Sequence, residues 1–348
     1  MVLEDVRLQP ATLAAFVQRA DELRDEALFP LASAFPVEPV EDIDNVYNII
    51  SQQMNVAASI TGFNSGSPIR DIGQGKQALA SLTKIQDAYF LDEKQILNYK
   101  RRRSQDEANG IVDQVLINTN HLSEGVEKTK ELIRASLVYK GRFDYEDPRT
   151  QTKLSYTLDR PEENNITVTE EWGTEAARPI SDLLAAVDQF RQTNGGARPE
   201  IINMNSATYA KLKRSGQIAL ELFRDVKSPY IIKDSDVEAL ITSSGLPAIS
   251  IDDTETQIRQ IDGTNKTVKH LEDDRVVLRA SVLGTTMSGP SVENNFNKGK
   301  FILPIQEFDP PREKTIVGEA AMPVMKNING TVFLDVKPAD TVTETSGV

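Results

Sequence analysis

Between Asn109 and Val138, apolar residues fall at Ile111, Val115, Leu122, Val126, Ile133 and Leu137. The spacings alternate between four and seven residues, so the stripe repeats every eleven. Eleven residues make three helical turns at about 3.67 residues each, close to the period of a free α-helix, so the apolar face runs nearly straight. The spacing predicts one long helix with a single buried side. At roughly 1.5 Å per residue such a helix spans on the order of 45 Å, longer than an ordinary helix of a compact domain. The faces between are polar, with Asp113, Asn118, Asn120, Glu124, Glu127, Lys128, Lys130, Glu131 and Arg134. Gly125 stands mid-helix, at a cost of roughly 1 kcal/mol relative to Ala that tertiary contacts must offset. Two readings are open: a core helix of a mixed domain, or the backbone of a flat, extended subunit.

A chain of 348 residues can bury a core and hold two domains. It contains no cysteine, which excludes disulfides, thiolate metal sites and thiol nucleophiles together. Its two histidines, His121 and His270, have no nucleophile or metal partner close in sequence and are read as structural. There is no G-x-S-x-G, H-E-x-x-H, dinucleotide fingerprint or calcium loop. Gly73-Gln74-Gly75-Lys76 approaches a phosphate loop, but Arg70 stands where glycine is needed and Gln77 where Ser or Thr is needed. The acidic pairs Glu162-Glu163, Asp252-Asp253 and Asp273-Asp274 occupy turn or hairpin positions and are read as solvated. No catalytic, cofactor-binding or metal site is therefore assigned, and no enzyme activity. The net charge of −13 disfavours broad attraction to nucleic acid, so any such contact is local. No basic region followed by an apolar run opens the sequence, and no eighteen consecutive residues are apolar. The expectation is a soluble chain made in the cytoplasm, with no membrane partner.

In order, residues 10–28 predict an amphipathic helix through Leu13, Phe16, Val17, Ala20, Leu23 and Ala27. The following Phe35-Pro36-Val37-Glu38-Pro39 is too proline-rich for a helix or a central strand, as in a terminal arm that packs outside its own domain. Residues 46–50 and 56–60 predict strands, and 61–76, with four glycines, a long loop. A strand over Ile85 to Phe90 and a helix carrying Leu91, Ile96 and Leu97 come next. Lys100, Arg101, Arg102 and Arg103 close that segment, as a solvated helix end or as a contact to Glu38, Glu41 and Asp42 of another subunit. After the long helix, residues 137–143, 153–158 and 166–170 predict an antiparallel ribbon, and Trp172 a buried anchor. Helices over 180–190, 206–218 and 234–244 alternate with strands over 199–204 and 248–252, which predicts an α/β block. A hairpin is expected over 257–271, and strands over 275–280, 301–308 and 331–336.

Several segments, taken in order, resemble the lambda-type major capsid protein E family of tailed bacteriophages. They are Leu28-Phe29-Pro30, then Ser67 to Lys76, which is similar to that family's Pro-x-Arg-x-Ile-Gly-Arg-Gly-Gly loop, and Ala88 to Lys94. Further on come Pro179 to Leu184, Pro199 to Met204, and Leu283 to Pro290 with Glu293 behind it. Gln74 and Lys76 depart from the loop's Arg and second Gly. The resemblance implies an α+β, HK-97-like capsid fold. Residues 1–50 would be the N-terminal arm and 51–106 an extended hairpin, the E-loop. Residues 107–175 and 283–348 would be a peripheral domain with a long spine helix, and 176–282 an axial α/β domain. Ile69, Arg70, Asp71, Gly73, Gly75 and Lys76 would make assembly contacts from the E-loop. Implied partners are further copies, as pentamers and hexamers of a shell, and scaffolding, portal and decoration proteins. The shell would enclose double-stranded DNA without sequence-specific binding, as a virion capsid assembled in the host cytoplasm. An encapsulin-like non-viral shell and an enzyme of unrecognised type are the rival readings.

Overall fold

In the computed structural model, which describes residues 5–49, 77–101, 105–147, 152–225, 231–260 and 262–338, the eleven-residue stripe becomes one helix of 31 residues. The chain begins with α1 (Pro10–Glu22), β1 (Val37–Pro39), β2 (Asp44–Asn48), β3 (Gln77–Ser81), β4 (Thr83–Leu91), α2 (Glu93–Lys100) and the long α3 (Gln105–Ala135). There follow β5 (Arg142–Asp147), β6 (Thr152–Thr157), β7 (Asn165–Thr167), α4 (Pro179–Thr193), β8 (Ile201–Met204), α5 (Ser206–Arg214), α6 (Gly216–Phe223) and α7 (Asp234–Ser243). The rest is strand: β9 (Ala248–Ile251), β10 (Glu255–Arg259), β11 (Asn265–Lys269), β12 (Arg275–Arg279), β13 (Gly284–Ser288), β14 (Phe301–Phe308), β15 (Pro311–Met325) and β16 (Thr331–Asp335).

Along α3 the apolar stripe is buried at Val115, Val126 and Ile133, while Asp113 and Lys128 stay exposed. Lys130, Glu131 and Arg134, expected on a solvated face, are buried instead. They are tolerated because charges three residues apart meet on a helix: Lys130 reaches Glu127 at 2.8 Å and Arg134 reaches Glu131 at 3.0 Å. A π-helical turn, Ser136–Lys140, continues the helix with Leu137, Val138 and Tyr139 buried, and Gly141 ends it at φ 68°. The strand expected from Leu137 therefore starts later, at Arg142.

Two compact units divide the chain. The first comprises Met1–Tyr47, Ala78–Arg134 and Gly284–Val324; the second comprises Asn48–Gln77, Ala135–Leu283 and Met325–Val348.

The first unit holds a five-stranded sheet in the order β1-β13-β15-β14, with β4 also paired to β15. The β14 pairing runs from Phe301 opposite Gly318 to Phe308 opposite Pro311, and the β4 pairing from Thr83 opposite Ala321 to Leu91 opposite Glu313. Gly318 is the point of closest approach. A Cβ there would lie 2.7 Å from both Gln86 Cβ and Phe301 Cζ, so only glycine lets β4 and the Phe301 ring meet across β15. β1 lies at the sheet edge, parallel to β13, where its proline removes no central hydrogen bond. Leu91, expected in a helix, closes β4, because Asp92 forms a reciprocal capping box with Gln95 and starts α2 there. Leu8, Leu13, Leu91, Tyr99, Val112 and Val115 form one apolar cluster. Each such side chain contributes about 1.5–3 kcal/mol by leaving water.

The second unit is built on the mixed sheet β7-β16-β12-β8-β9. Here β12 is antiparallel to both β16 and β8, while β7 and β9 run parallel to their neighbours. β7, expected as the third strand of a ribbon, thus joins this sheet, and the ribbon is β5 with β6 alone. Trp172 is buried in the core with Leu183, Phe190, Ile202 and Leu278, and its Nε1 donates to Asp182 Oδ2 at 2.9 Å. Asn205 caps α5 by accepting from the Thr208 amide at 2.8 Å. The helix expected through Ile218 is broken at Ser215, whose extended backbone ends α5 and starts α6.

Candidate assembly surface

In the first unit, buried charges tie the N-terminal segment to the long helix and the sheet. Lys130 Nζ lies 2.8 Å from Glu127 and 2.8 Å from Glu319 on β15. Lys300, just ahead of β14, reaches Glu127 at 2.7 Å and also pairs with Asp21 on α1. Ser288 Oγ donates to Glu319 at 2.6 Å. Glu131 accepts from the Leu31 amide at 2.7 Å, and Arg134 donates to Thr286 Oγ1 on β13 at 3.0 Å. Burial by itself would raise the Glu127 carboxyl, but the Lys130 and Lys300 ammoniums outweigh it and hold it down at about 2. Burial likewise opposes the Lys130 charge, and Glu127 and Glu319 reverse that effect and raise it. Sequence reading missed this network, although the Glu127/Lys130 and Glu131/Arg134 spacings are its visible trace.

Beyond this anchorage the segment exposes apolar side chains among the acidic Glu41, Asp42 and Asp44. Val37, Ile43, Val46 and Leu79 are all more than 60% exposed. The Leu82 amide donates to the Ile43 carbonyl at 2.9 Å, and Ser81 Oγ to Asp44 at 2.5 Å. That falling register makes β2 and β3 antiparallel and sets Val46 beside Leu79 on one open face.

Ile69, Arg70, Asp71, Gly73, Gly75 and Lys76 lie outside the described residues, as do Arg102 and Arg103. Lys100 ends α2 and Arg101 caps it, both exposed. Glu38 accepts from Thr285 Oγ1 at 2.7 Å, Glu41 pairs with Lys298 at 2.5 Å, and Asp42 is exposed.

In the second unit the buried histidine and the polar groups of a cleft bond within the fold. His270 is buried with Nε2 2.7 Å from Thr256 Oγ1, and burial lowers its pKa. His121 is exposed on α3. A cleft of about 290 Å³ is lined by Asn205, Asp253, Thr254, Glu255, Lys269 and Asp273, among others. Its groups already serve one another: Asp253 accepts from the Ser206 amide at 2.8 Å, and Asp273 accepts from Asn205 Nδ2 at 2.6 Å. Among the described residues, no group of three His, Asp or Glu is placed to hold a metal ion, and no helix is long and apolar enough to cross a membrane.

A long helix ahead of an α/β block, with an N-terminal segment bound along it and a sheet completed by the last strands, defines the HK-97-like capsid fold. A phage-related protein from Bordetella bronchiseptica RB50 shares it, with a TM-score of 0.57 at 12% identity over 94% of this chain and 98% of that one. A prophage protein of E. coli CFT073, assigned to the capsid, matches with a TM-score of 0.58 at 15% identity over 95% of this chain and 99% of that one. At these identities the likeness establishes the fold. No curated protein matches the sequence. The family follows from the sequence itself, since the model of the phage major capsid protein E family matches residues 46–336. The chain belongs to that family: it is a major capsid protein, a structural protein of the virion capsid that forms a homo-oligomeric shell.

Proposed function

We propose that copies of this chain assemble as pentamers and hexamers into a closed icosahedral shell around packaged double-stranded DNA. Most weight rests on the exposed apolar side chains Val37, Ile43 and Val46, on a segment bonded to α3 through the Leu31 amide and the buried Glu131, with Leu79 of β3 beside Val46. Large apolar side chains left in water are costly for a free subunit and useful to one that is covered by its neighbours. In this reading residues 1–50 are the arm, 51–106 the E-loop, 107–175 and 283–348 the peripheral domain, and 176–282 the axial domain. Ile69, Arg70, Asp71, Gly73, Gly75 and Lys76 make E-loop contacts to a neighbour. The basic run from Lys100 to Arg103 meets Glu38, Glu41 and Asp42 of another copy. Individually weak contacts repeated around each ring suffice, because every closed contact raises the effective concentration of the next.

The chain acts as a wall and catalyses nothing in this reading. Its net charge of −13 keeps DNA free of the wall during packaging and ejection, without sequence-specific contacts. Assembly takes place in the host cytoplasm, with scaffolding, portal and decoration proteins as further partners. Negative-stain electron microscopy of the protein alone, and of the protein expressed with the neighbouring phage genes, tests the proposal. Closed shells or rings of five and six are expected, and deletion of Gly62 to Gly75 should abolish closure. A monodisperse monomer under every condition would overturn it.

A further inference from the structure

The turn between β13 and β14 combines two features that each destabilise a free subunit. Val292 is 71% exposed and Phe296 74% exposed. Asn295 and Phe296 are both left-handed, at φ 52° and φ 62°. Asparagine tolerates that region; a bulky aromatic there is a true outlier. Yet the turn is firmly built. The Phe296 amide donates to the Ser291 carbonyl at 2.9 Å and the Asn295 amide to Val292 at 3.1 Å. Asn294 Nδ2 donates to the carbonyls of Asn297 and Lys298, both at 3.2 Å, and Asn297 Nδ2 returns a bond to Asn294 at 2.9 Å. Its base is stapled at three points: Glu293 to Lys84 on β4, Lys298 to Glu41, and Lys300 to Asp21 and Glu127.

We propose that the Val292–Phe296 turn is an intersubunit anchor, and that its two apolar side chains are buried by a second copy of this chain. The inference rests on the shell reading above and adds a specific contact to it. Charge selects the occupant. All three charged side chains from Gly289 to Lys300, namely Glu293, Lys298 and Lys300, are neutralised by partners inside the chain. What projects at the tip is Val292, Asn295, Phe296 and Asn297, all uncharged, on a chain of net charge −13. Two such acidic copies repel broadly, so they approach best where no charge is presented. A nucleic acid would find no unpaired cation on this turn. Strain and internal bonding then have one purpose, because a turn whose backbone is already fixed loses little freedom when it docks.

The absence of cysteine makes the test direct. Single Val292→Cys and Phe296→Cys variants of the full chain are labelled with a maleimide, as dissociated subunits and as assembled particles. Labelling should slow by roughly tenfold or more on assembly, as at the water-excluded centre of an interface. Equal labelling in both states would overturn the proposal. Protection that appears only in particles carrying a second phage protein would also overturn it, by giving the turn to that protein. In Phe296→Gly the left-handed backbone is relaxed, so the free subunit should melt at the same or a higher temperature. Its assembly threshold should nevertheless rise by roughly tenfold, as for loss of an anchor residue. A lower melting temperature with an unchanged threshold would make Phe296 a residue of the fold alone and sink the idea. Wild-type protein that forms no particles at all would remove the shell reading, whereas particles in which the Phe296→Cys thiol stays reactive would remove only the anchor.

Discussion

Glu127 shows how one side chain ties acid sensitivity to the fold. Its carboxyl is held at about 2 against an ordinary value of 4.5, so the folded state binds its proton less readily than the unfolded state does. A depressed carboxylate contributes stability that is complete above the ordinary value and is lost as pH falls from about 4.5 toward about 2. Lys130 is shifted upward, so its contribution is present throughout that window and is lost only in strong base. Asp5, held at about 2 mainly by the side-chain hydrogen bond from Arg7, adds a similar loss in acid. Urea unfolding at pH 7, 4 and 3 should therefore show stability falling with acid. Glu127→Gln should be less stable at pH 7 and flatter in its pH dependence, without being flat. An unchanged slope in that variant would show that the network around Lys130 does not govern acid stability.

At the scale of the element, the long helix contains two exposed glycines, Gly110 and Gly125, that nothing in the described fold explains. Gly125 is exposed, and a Cβ there meets nothing within 4 Å. The offset by tertiary contacts expected from sequence is absent within the described chain, so Gly125→Ala should stabilise the subunit by about 1 kcal/mol. Thermal melting of the dissociated subunit checks this, and a lower melting temperature would contradict it. The same helix shows which parts of the fold were legible. Its stripe, the Asn205 cap and the Gly195-Gly196 stop after α4 are local signals, readable because the cause lies within a few residues of the effect. β15 was not legible. Its buried positions run unbroken from Val317 to Ala321, so no polar–apolar alternation marks it, and Gly318, Ala320, Ala321 and Pro323 dilute any apolar run. The parallel pairing of β7 with β16 was hidden because the partner lies more than 160 residues away. The exposed Phe296 left no trace either, because Asn294-Asn295 is compatible with a left-handed turn but nothing marks the phenylalanine after it as left-handed too.

For the whole molecule, the net charge of −13 sets the conditions under which copies can meet. Raising salt from about 0.01 M to about 0.15 M shortens the screening length from about 30 Å to about 8 Å, which removes most long-range repulsion between like-charged subunits. The concentration needed for particle formation should fall across that range when followed by light scattering. A rise would mean that attractive charge pairs, such as the Lys100 to Arg103 run against Glu38, Glu41 and Asp42, dominate the contacts. The order of the strands along the chain also has a consequence for synthesis. In the first unit β4, β13 and β14 wait on β15, and in the second β7 and β12 wait on β16. Both receiving strands lie beyond residue 310. At about 5–20 residues per second a ribosome needs roughly 15–60 s to reach them. Until then both sheets are incomplete, since β4, β13 and β14 lack the strand that joins them and β12-β8-β9 lacks β16 and β7, so only finished copies present the whole surface that a growing shell takes up.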